Sequence, residues 1–253
     1  MNLFEINNYI NKILDTHSYP DDSVNGLQIE SSKTKVSRIA LAVDAGQSVI
    51  ESACQQNADL LIVHHGVFWG QSTSVTGIVA KKVNTLIDSG CSLLAQHLPL
   101  DGDMEYGNNI ELARLFQLED IQRFCPHGDK QFIGTSGKLL KPKPLSYFTE
   151  KASTLDGFTN PLTLEFGKKE ISSCAIVSGG GSFALSMAAE QGFDLLISGE
   201  PKQSNYHDTK ELGVNAAFYG HYATETVGVK ALGRHLEEKF DVETFFIDEP
   251  TGI

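Results

Sequence analysis

The chain has 253 residues, of which 41% are hydrophobic and 21% charged, so it can bury a large core and has the composition of a globular protein. Its formal net charge of -12 disfavours general binding to nucleic acids or anionic membranes, because both repel an acidic surface. No apolar run approaches the roughly 18 residues of a membrane helix, and the N-terminus MNLFEINNYINKIL lacks the pattern of a signal peptide. We therefore expect a soluble, cytoplasmic protein.

The cysteines predict neither a disulfide framework nor a thiolate zinc site. No two of them form a C-x-x-C pair, and they lie far apart along the chain, at Cys54, Cys91, Cys125 and Cys174. This pattern is typical of a reducing compartment, where thiols stay free.

Helical and strand patterns alternate through the first half of the chain. An amphipathic helix at the N-terminus leads through the turn-rich SYPDDSVNGLQIE to a first strand. The later strands are VSRIALAVD, DLLIVHH and CSLLAQH, and the helices are GQSVIESACQQNA, VAKKVNTLIDSG and NNIELARLFQL. An asparagine is expected to cap the last of these helices. The alternation predicts an α/β fold with a largely parallel sheet.

Three segments are predicted from changes in this pattern. Residues 1–118 form a first α/β half, residues 119–170 form a connector, and residues 171–253 form a second α/β half. Residues 39–62 align with residues 174–197 without a gap, at an offset of 135 positions, which indicates an internal duplication. We predict two pseudo-symmetric, intertwined halves that form a layered α/β/α structure around a metal site.

Side chains that can bind metals follow three of the predicted strands. HLPLD at 97–101 and HYATE at 221–225 each place a histidine four residues before a carboxylate, at the same stage of both halves. Ligands gather at the carboxyl ends of strands in α/β sheets. We therefore expect six side chains to face one region: His64, His65, His97, Asp101, His221 and Glu225.

Histidine and carboxylate side chains together suit borderline divalent ions such as zinc, iron, manganese or nickel. Adjacent side chains diverge at a strand end, so His64 and His65 are expected to serve different ions, and a carboxylate can bridge two ions. A site with two metal ions is therefore the sharper hypothesis. Each motif taken alone is also compatible with a polar strand end or a chance spacing.

Three further features complete the predictions. SGGGSF at 178–183 can either cradle an anion or form only a tight turn between a strand and a helix. Phe68 and Trp69 can stack on a planar base near the metals, or pack in the core or in an oligomer contact. Pro99 disfavours a regular helix within HLPLD, where a loop is expected.

The chain resembles a known family through seven motifs that occur in the family's order: VNGLQIE, DLLIVHHGVFW, HLPLDGDMEYGNNIELA, SGGGSF, DLLISGE, GHYATETVGVKAL and FIDEP. This is the Nif-three-like dinuclear metal centre family, whose bacterial members are often labelled GTP cyclohydrolase type 2 homologues. The resemblance implies two divalent ions and a hexameric toroid without the extra domain that some relatives insert. It places His97 beside the metals, where it supports the ligands or transfers protons. The implied ligands are His64, His65, Asp101, His221 and Glu225.

The resemblance also implies a metal-dependent hydrolase that acts on a nucleotide, with water attacking C8 of the guanine of GTP. A metal-dependent phosphoesterase is the nearest other chemistry, and a non-catalytic metal-handling or adaptor protein is the alternative. The residues alone do not decide which metal is native, which carboxylate bridges the ions, or which groups are catalytic. We expect a homo-oligomer with no membrane partner and no general nucleic-acid binding.

Overall fold

Helices and strands alternate along the computed structural model, which describes residues 1–70 and 73–253. The strands are β1 (Gly26–Ile29), β2 (Arg38–Asp44), β3 (Leu60–His65), β4 (Ser92–Ala95), β5 (Glu119–His127), β6 (Gln131–Pro144), β7 (Leu162–Glu165), β8 (Glu170–Val177), β9 (Leu195–Ser198), β10 (Asn215–Phe218) and β11 (Glu243–Phe246). The helices are α1 (Leu3–Ile13), α2 (Gln47–Gln55), α3 (Gly77–Ser89), α4 (Leu98–Gly102), α5 (Asn108–Leu115), α6 (Leu145–Ala152), α7 (Leu185–Glu190), α8 (Asn205–Leu212) and α9 (His221–Lys239). None of the helices within the described ranges combines the length and the apolar character needed to cross a bilayer.

The chain folds into two compact units, and each contains one sheet. The first unit comprises Met1–Leu100 and Val229–Glu249, and the second comprises Asp101–Gly228 and Pro250–Ile253. These bounds differ from the predicted segments, because residues 119–170 are not only a connector. Their strands β5, β6 and β7 pair within the second sheet, against one another or against β8 and β10. The segment after residue 228 instead contributes β11 to the first sheet, beside β2.

The first sheet is covered by helices on both faces. Its order is β1-β4-β3-β2-β11, with β1 antiparallel to its neighbour and the other strands parallel. Ala42 and Val63 pack with α2 and α3, whereas Leu41 and Ile62 pack with α1 and the C-terminal part of α9. Burial on both faces explains the continuous apolar runs of these strands. This unit has the predicted α/β/α layers.

The second sheet is mixed, with the order β5-β6-β8-β9-β10-β7. Strands β8, β9 and β10 are parallel, and the strands that flank them are antiparallel. One face packs against α5 and α6, where Phe116 and Phe148 lie with their ring centres 5.5 Å apart. The predicted α/β class is confirmed, but a largely parallel sheet describes only the first unit.

The predicted internal repeat has the same strand register in both units. Ile39 pairs with Leu60 in the first sheet, and Cys174 pairs with Leu195 in the second. Both partners therefore shift by the same 135 positions that relate the two sequences. The repeated segment is a parallel strand pair joined through a helix, which is β2-α2-β3 in one unit and β8-α7-β9 in the other.

An aspartate carboxylate anchors each copy of the repeat in the same way. Asp59 accepts hydrogen bonds from the backbone N–H groups of residues 37 and 38, at 2.9 and 3.1 Å. Asp194 accepts those of residues 172 and 173, at 2.9 and 3.2 Å. Each carboxylate also faces a lysine at the equivalent position, Lys33 or Lys168. The duplication therefore extends from the backbone to a shared side-chain contact.

Candidate metal centre

Three histidines come together at the carboxyl ends of β3 and β4 in the first unit. His64 and His65 are the last residues of β3, and His97 follows shortly after β4 ends at Ala95. Because β3 and β4 are parallel neighbours, their ends meet at the same edge of the sheet. One ring nitrogen of each histidine lies within 4.8 Å of those of the other two. These three imidazoles, the histidine set, are close enough to hold a metal ion.

Hydrogen bonds fix which nitrogen each histidine presents. In all three rings Nδ1 faces an oxygen that can only accept, so Nδ1 carries the hydrogen and Nε2 carries the lone pair of the neutral ring. This second contact, to a carbonyl or a carboxylate, is the usual support of a metal-binding histidine. The pairs are His64 with the Gln96 carbonyl at 2.9 Å, His65 with Asp44 at 2.8 Å and His97 with Asp21 at 2.9 Å.

The segment DDSVNGLQ, to which the sequence prediction gave no chemistry, supports His97. Asp21 also accepts the backbone N–H groups of Ser23 and Leu98, both at 3.0 Å. Asn25 accepts the backbone N–H of His97 at 2.7 Å. Burial opposes ionisation of Asp21, but the hydrogen bond and charge of His97 outweigh it and lower the pKa of Asp21 to about 2. The carboxylate is therefore ionised at neutral pH.

The HLPLD segment forms the short helix α4 and not the expected loop. Pro99 lies in its first turn, where a missing N–H breaks no intrahelical bond, so the expectation based on this proline was wrong. His97 directly precedes this helix, and Asp101 lies within it.

Asp101 is buried in the second unit and is held by polar side chains. Its Oδ1 accepts from Nδ2 of Asn108 at 2.9 Å and from Oγ of Ser178 at 3.0 Å. Asn109 donates to the Asp101 carbonyl at 3.1 Å. Helix α5 is capped by Gly107 without a side-chain bond, so the prediction of an asparagine cap was wrong. The two asparagines instead position a candidate ligand.

His221 and Glu225 lie one turn apart at the start of α9 in the same unit. Nε2 of His221 is 3.2 Å from Oε1 of Glu225, and Nδ1 is 3.4 Å from Glu200, which was not predicted. Burial lowers the pKa of His221, but the hydrogen bond and charge of Glu225, together with Glu200, raise it to about 9. A carboxylate oxygen of Glu225 also lies within 4.8 Å of one from Asp101. Asp101, His221 and Glu225 thus form a second group, the carboxylate set.

Gly179 makes room for the carboxylate set. Its φ is +54°, and a Cβ at this position would overlap Oε1 of Glu225 and lie 2.9 Å from Nε2 of His221. Its N–H donates to Oγ1 of Thr224 at 3.0 Å, and its carbonyl accepts the N–H of Glu200 at 3.0 Å. SGGGSF therefore forms a tight turn that continues into a short 3-10 helix at Gly181–Ala184.

The donors of the two sets fit borderline divalent metal ions. The histidine set presents lone pairs on three nitrogens, and the carboxylate set offers two carboxylates and one imidazole. Nitrogen and oxygen donors of these kinds suit zinc, iron, manganese and nickel. Each set lies in one unit, and the expectation that five residues jointly hold two ions stays a prediction.

Fold and donors together define an α/β protein with histidine and carboxylate groups that can hold a divalent metal. A family model described as Duf34/NIF3 (NGG1p interacting factor 3) matches residues 1–252, and the chain belongs to this family. The predicted family is therefore confirmed.

Curated relatives and solved structures match along the whole chain. A GTP cyclohydrolase 1 type 2 homolog of Pyrococcus horikoshii is 44% identical over 250 residues, covering 98% of each chain. The protein of the same name from Deinococcus radiodurans is 39% identical over 251 residues, covering 98% of this chain and 94% of its own. The protein TTHA1606 from Thermus thermophilus, whose crystal structure is known, is 36% identical, with a TM-score of 0.90 and full coverage of both chains.

Proposed function

We propose that the protein is a metal-dependent hydrolase acting on a nucleotide, with two divalent ions held by five ligands: His64, His65, Asp101, His221 and Glu225. One observation carries this proposal: each imidazole of the histidine set donates through Nδ1 and presents Nε2. The name GTP cyclohydrolase 1 type 2 homolog, given to the relatives, supports a guanine nucleotide as the substrate, with attack of water at C8.

The chain itself supports joint use of the two sets. His97 and Asp101 are four residues apart, so even an extended backbone would separate their Cα atoms by at most about 14 Å. The sets also complement each other chemically. Neutral imidazoles satisfy the coordination of an ion, whereas carboxylates balance its charge and can bridge two ions.

His97 is the proposed proton acceptor. When bound, a pair of divalent ions acidifies water and polarises a substrate oxygen or nitrogen. Nε2 of His97 would take the proton released from water, since its Nδ1–H donates to Asp21. The Asp21 carboxylate would stabilise the imidazolium that forms, because it is ionised and buried beside it. His97 also lies close enough to His64 and His65 to serve as a third imidazole ligand.

Metal analysis combined with variants tests the proposal. The protein is purified without added metal, loaded with zinc or manganese, and assayed for bound metal and for release of formate from GTP. We expect two ions per chain and metal-dependent turnover. His97→Ala should keep both ions and lose turnover if His97 carries the proton, and should lose an ion if it is a ligand. His17→Ala, an exposed histidine of the first unit, is the matched control and should change neither.

Glu225→Ala reports on the bridge between the ions. Loss of both ions in this variant supports a bridging carboxylate, whereas loss of one supports a terminal ligand. The hydrolase proposal fails if metal-loaded protein releases no product from GTP, from other nucleotides or from simple phosphoesters. Bound metal without any turnover would favour the non-catalytic metal-handling role. A homohexamer is part of the proposal, and light scattering in solution tests it.

A further inference from the structure

The loop after β3 holds the chain's only tryptophan against the histidine set. The Trp69 ring centre lies 4.9 Å from that of His97, in an edge-to-face arrangement, and 6.0 Å from that of His65. Phe68 packs on the core of the first unit, whereas Trp69 remains 38% exposed. One aromatic of the loop therefore supports the fold, and the other faces solvent beside the candidate ligands.

Hydrogen bonds hold the loop and the indole in place. Nε1–H of Trp69 donates to the Gly66 carbonyl at 3.0 Å, which orients the ring. Oε1 of Gln28 accepts the backbone N–H groups of residues 67 and 68, at 2.8 and 3.1 Å. Trp69 also forms an isolated backbone bridge with Ser23. An indole that is already ordered loses little further rotamer entropy when a ligand contacts it.

We propose that Trp69 binds the substrate by stacking its exposed face on the nucleobase of a nucleotide. This inference rests on the proposed function, because it names the part of the nucleotide substrate that the histidine-set side of the site recognises. A planar base offers the large π-surface that stacks on an indole face. The acidic residues Asp21 and Asp22 directly precede Ser23, the bridge partner of Trp69, so negative charge on this side favours a neutral base over a phosphate.

Two ligands, one with a base and one without, provide the test. The full-length, zinc-loaded protein is titrated with GMP and with ribose 5-phosphate, and the fluorescence of Trp69 is followed directly, since the chain has no other tryptophan. Calorimetry gives the dissociation constants for the wild type, Trp69→Ala and Trp69→Phe. Phe4→Ala is the matched control, because Phe4 is 42% exposed in the same unit but belongs to α1.

We expect GMP, but not ribose 5-phosphate, to quench the fluorescence. Trp69→Ala should weaken GMP binding roughly tenfold or more, in line with the loss of one base stack. Trp69→Phe should stay within a few-fold of the wild type, and Phe4→Ala should be unchanged. Equal binding of the two ligands, or an unchanged affinity of Trp69→Ala for GMP, overturns the inference.

Two control measurements separate this inference from the proposed function. If Trp69→Ala keeps its zinc and turns over GTP with an unchanged KM, the stacking role fails and the hydrolase proposal stands. If the wild type retains no zinc, the hydrolase proposal fails whatever the fluorescence shows. A change in the oligomeric state of Trp69→Ala with unchanged GMP affinity identifies the indole as a contact between copies of the chain, and overturns the stacking role.

Discussion

Replacing Gly179 by alanine is expected to weaken metal binding as well as the fold. The residue adopts a φ of +54°, and a left-handed conformation costs an alanine about 1–2 kcal/mol. The added Cβ would overlap the carboxylate of Glu225, which is only 3% exposed and has little room to move. It would also lie 2.9 Å from Nε2 of His221. Two donors of the carboxylate set must therefore shift together.

The size of the effect on metal binding follows from this displacement. Changes that disturb the orientation of a ligand without removing it usually reduce metal affinity roughly 10- to 100-fold. We expect a loss of at least this size for Gly179→Ala, because the overlap falls on donor atoms themselves. Competition with a chromophoric zinc chelator measures the affinity, and urea unfolding of the metal-free protein measures the stability.

Gly192→Ala separates backbone strain from steric overlap. Gly192 also has a positive φ, +79°, but no heavy atom of the described residues lies within 4 Å of a Cβ built there. Gly192→Ala should lose about 1–2 kcal/mol of stability, because alanine again adopts a left-handed backbone, and it should keep the zinc affinity of the wild type. Equal zinc affinities for Gly179→Ala and Gly192→Ala would refute the claim that Gly179 shapes the carboxylate set.

Two further variants test buried carboxylates through the pH dependence of stability. In Asp21→Asn we expect the free energy of unfolding to fall by about 2 kcal/mol at pH 7, since the pKa of Asp21 falls from 3.8 to about 2 on folding. The lowered pKa stabilises the fold above about pH 4. Urea unfolding should therefore show a difference from the wild type that shrinks as the pH falls from 4 to 2. For Asp194, burial raises the pKa, but hydrogen bonds from Lys168 and from two backbone N–H groups lower it overall. Asp194→Asn should therefore destabilise the protein by about 1.5–3 kcal/mol at neutral pH and progressively less in acid, and a difference that does not change with pH would contradict this account.

The sequence predicts the strands that carry the histidine set because local and tertiary signals agree there. LLIVHH of β3 is a continuous apolar run that ends in two polar residues, as expected for a strand buried on both faces. The 135-position repeat then identifies its counterpart β9, although β9 has no histidine pair at its end. The apolar run of β3 and the 135-position repeat therefore predict the equivalent strands of both units.

Contacts between distant segments are what the sequence does not predict. Asp21 lies 76 positions before His97, and no local pattern links a carboxylate in a turn to an imidazole after β4. The asparagines at 108 and 109 have a good capping pattern, but burial against Asp101 outweighs it. Local rules fail here because buried polar groups must be satisfied by whichever partners the tertiary fold supplies. These failures fall at the candidate site and not in the core.

Comparison of the two repeats shows how one strand end differs between the two units. At the 135-position offset, His65 corresponds to Glu200 and Asp44 corresponds to Gly179. In the first unit the Asp44 carboxylate supports His65, whereas in the second unit the same position lacks a side chain, and Glu225 from α9 occupies the space. Both copies keep the strand register, so the difference arises from side chains and not from the backbone. At this strand end the first unit therefore presents the imidazole of His65, whereas the second presents the carboxylate of Glu200 beside His221.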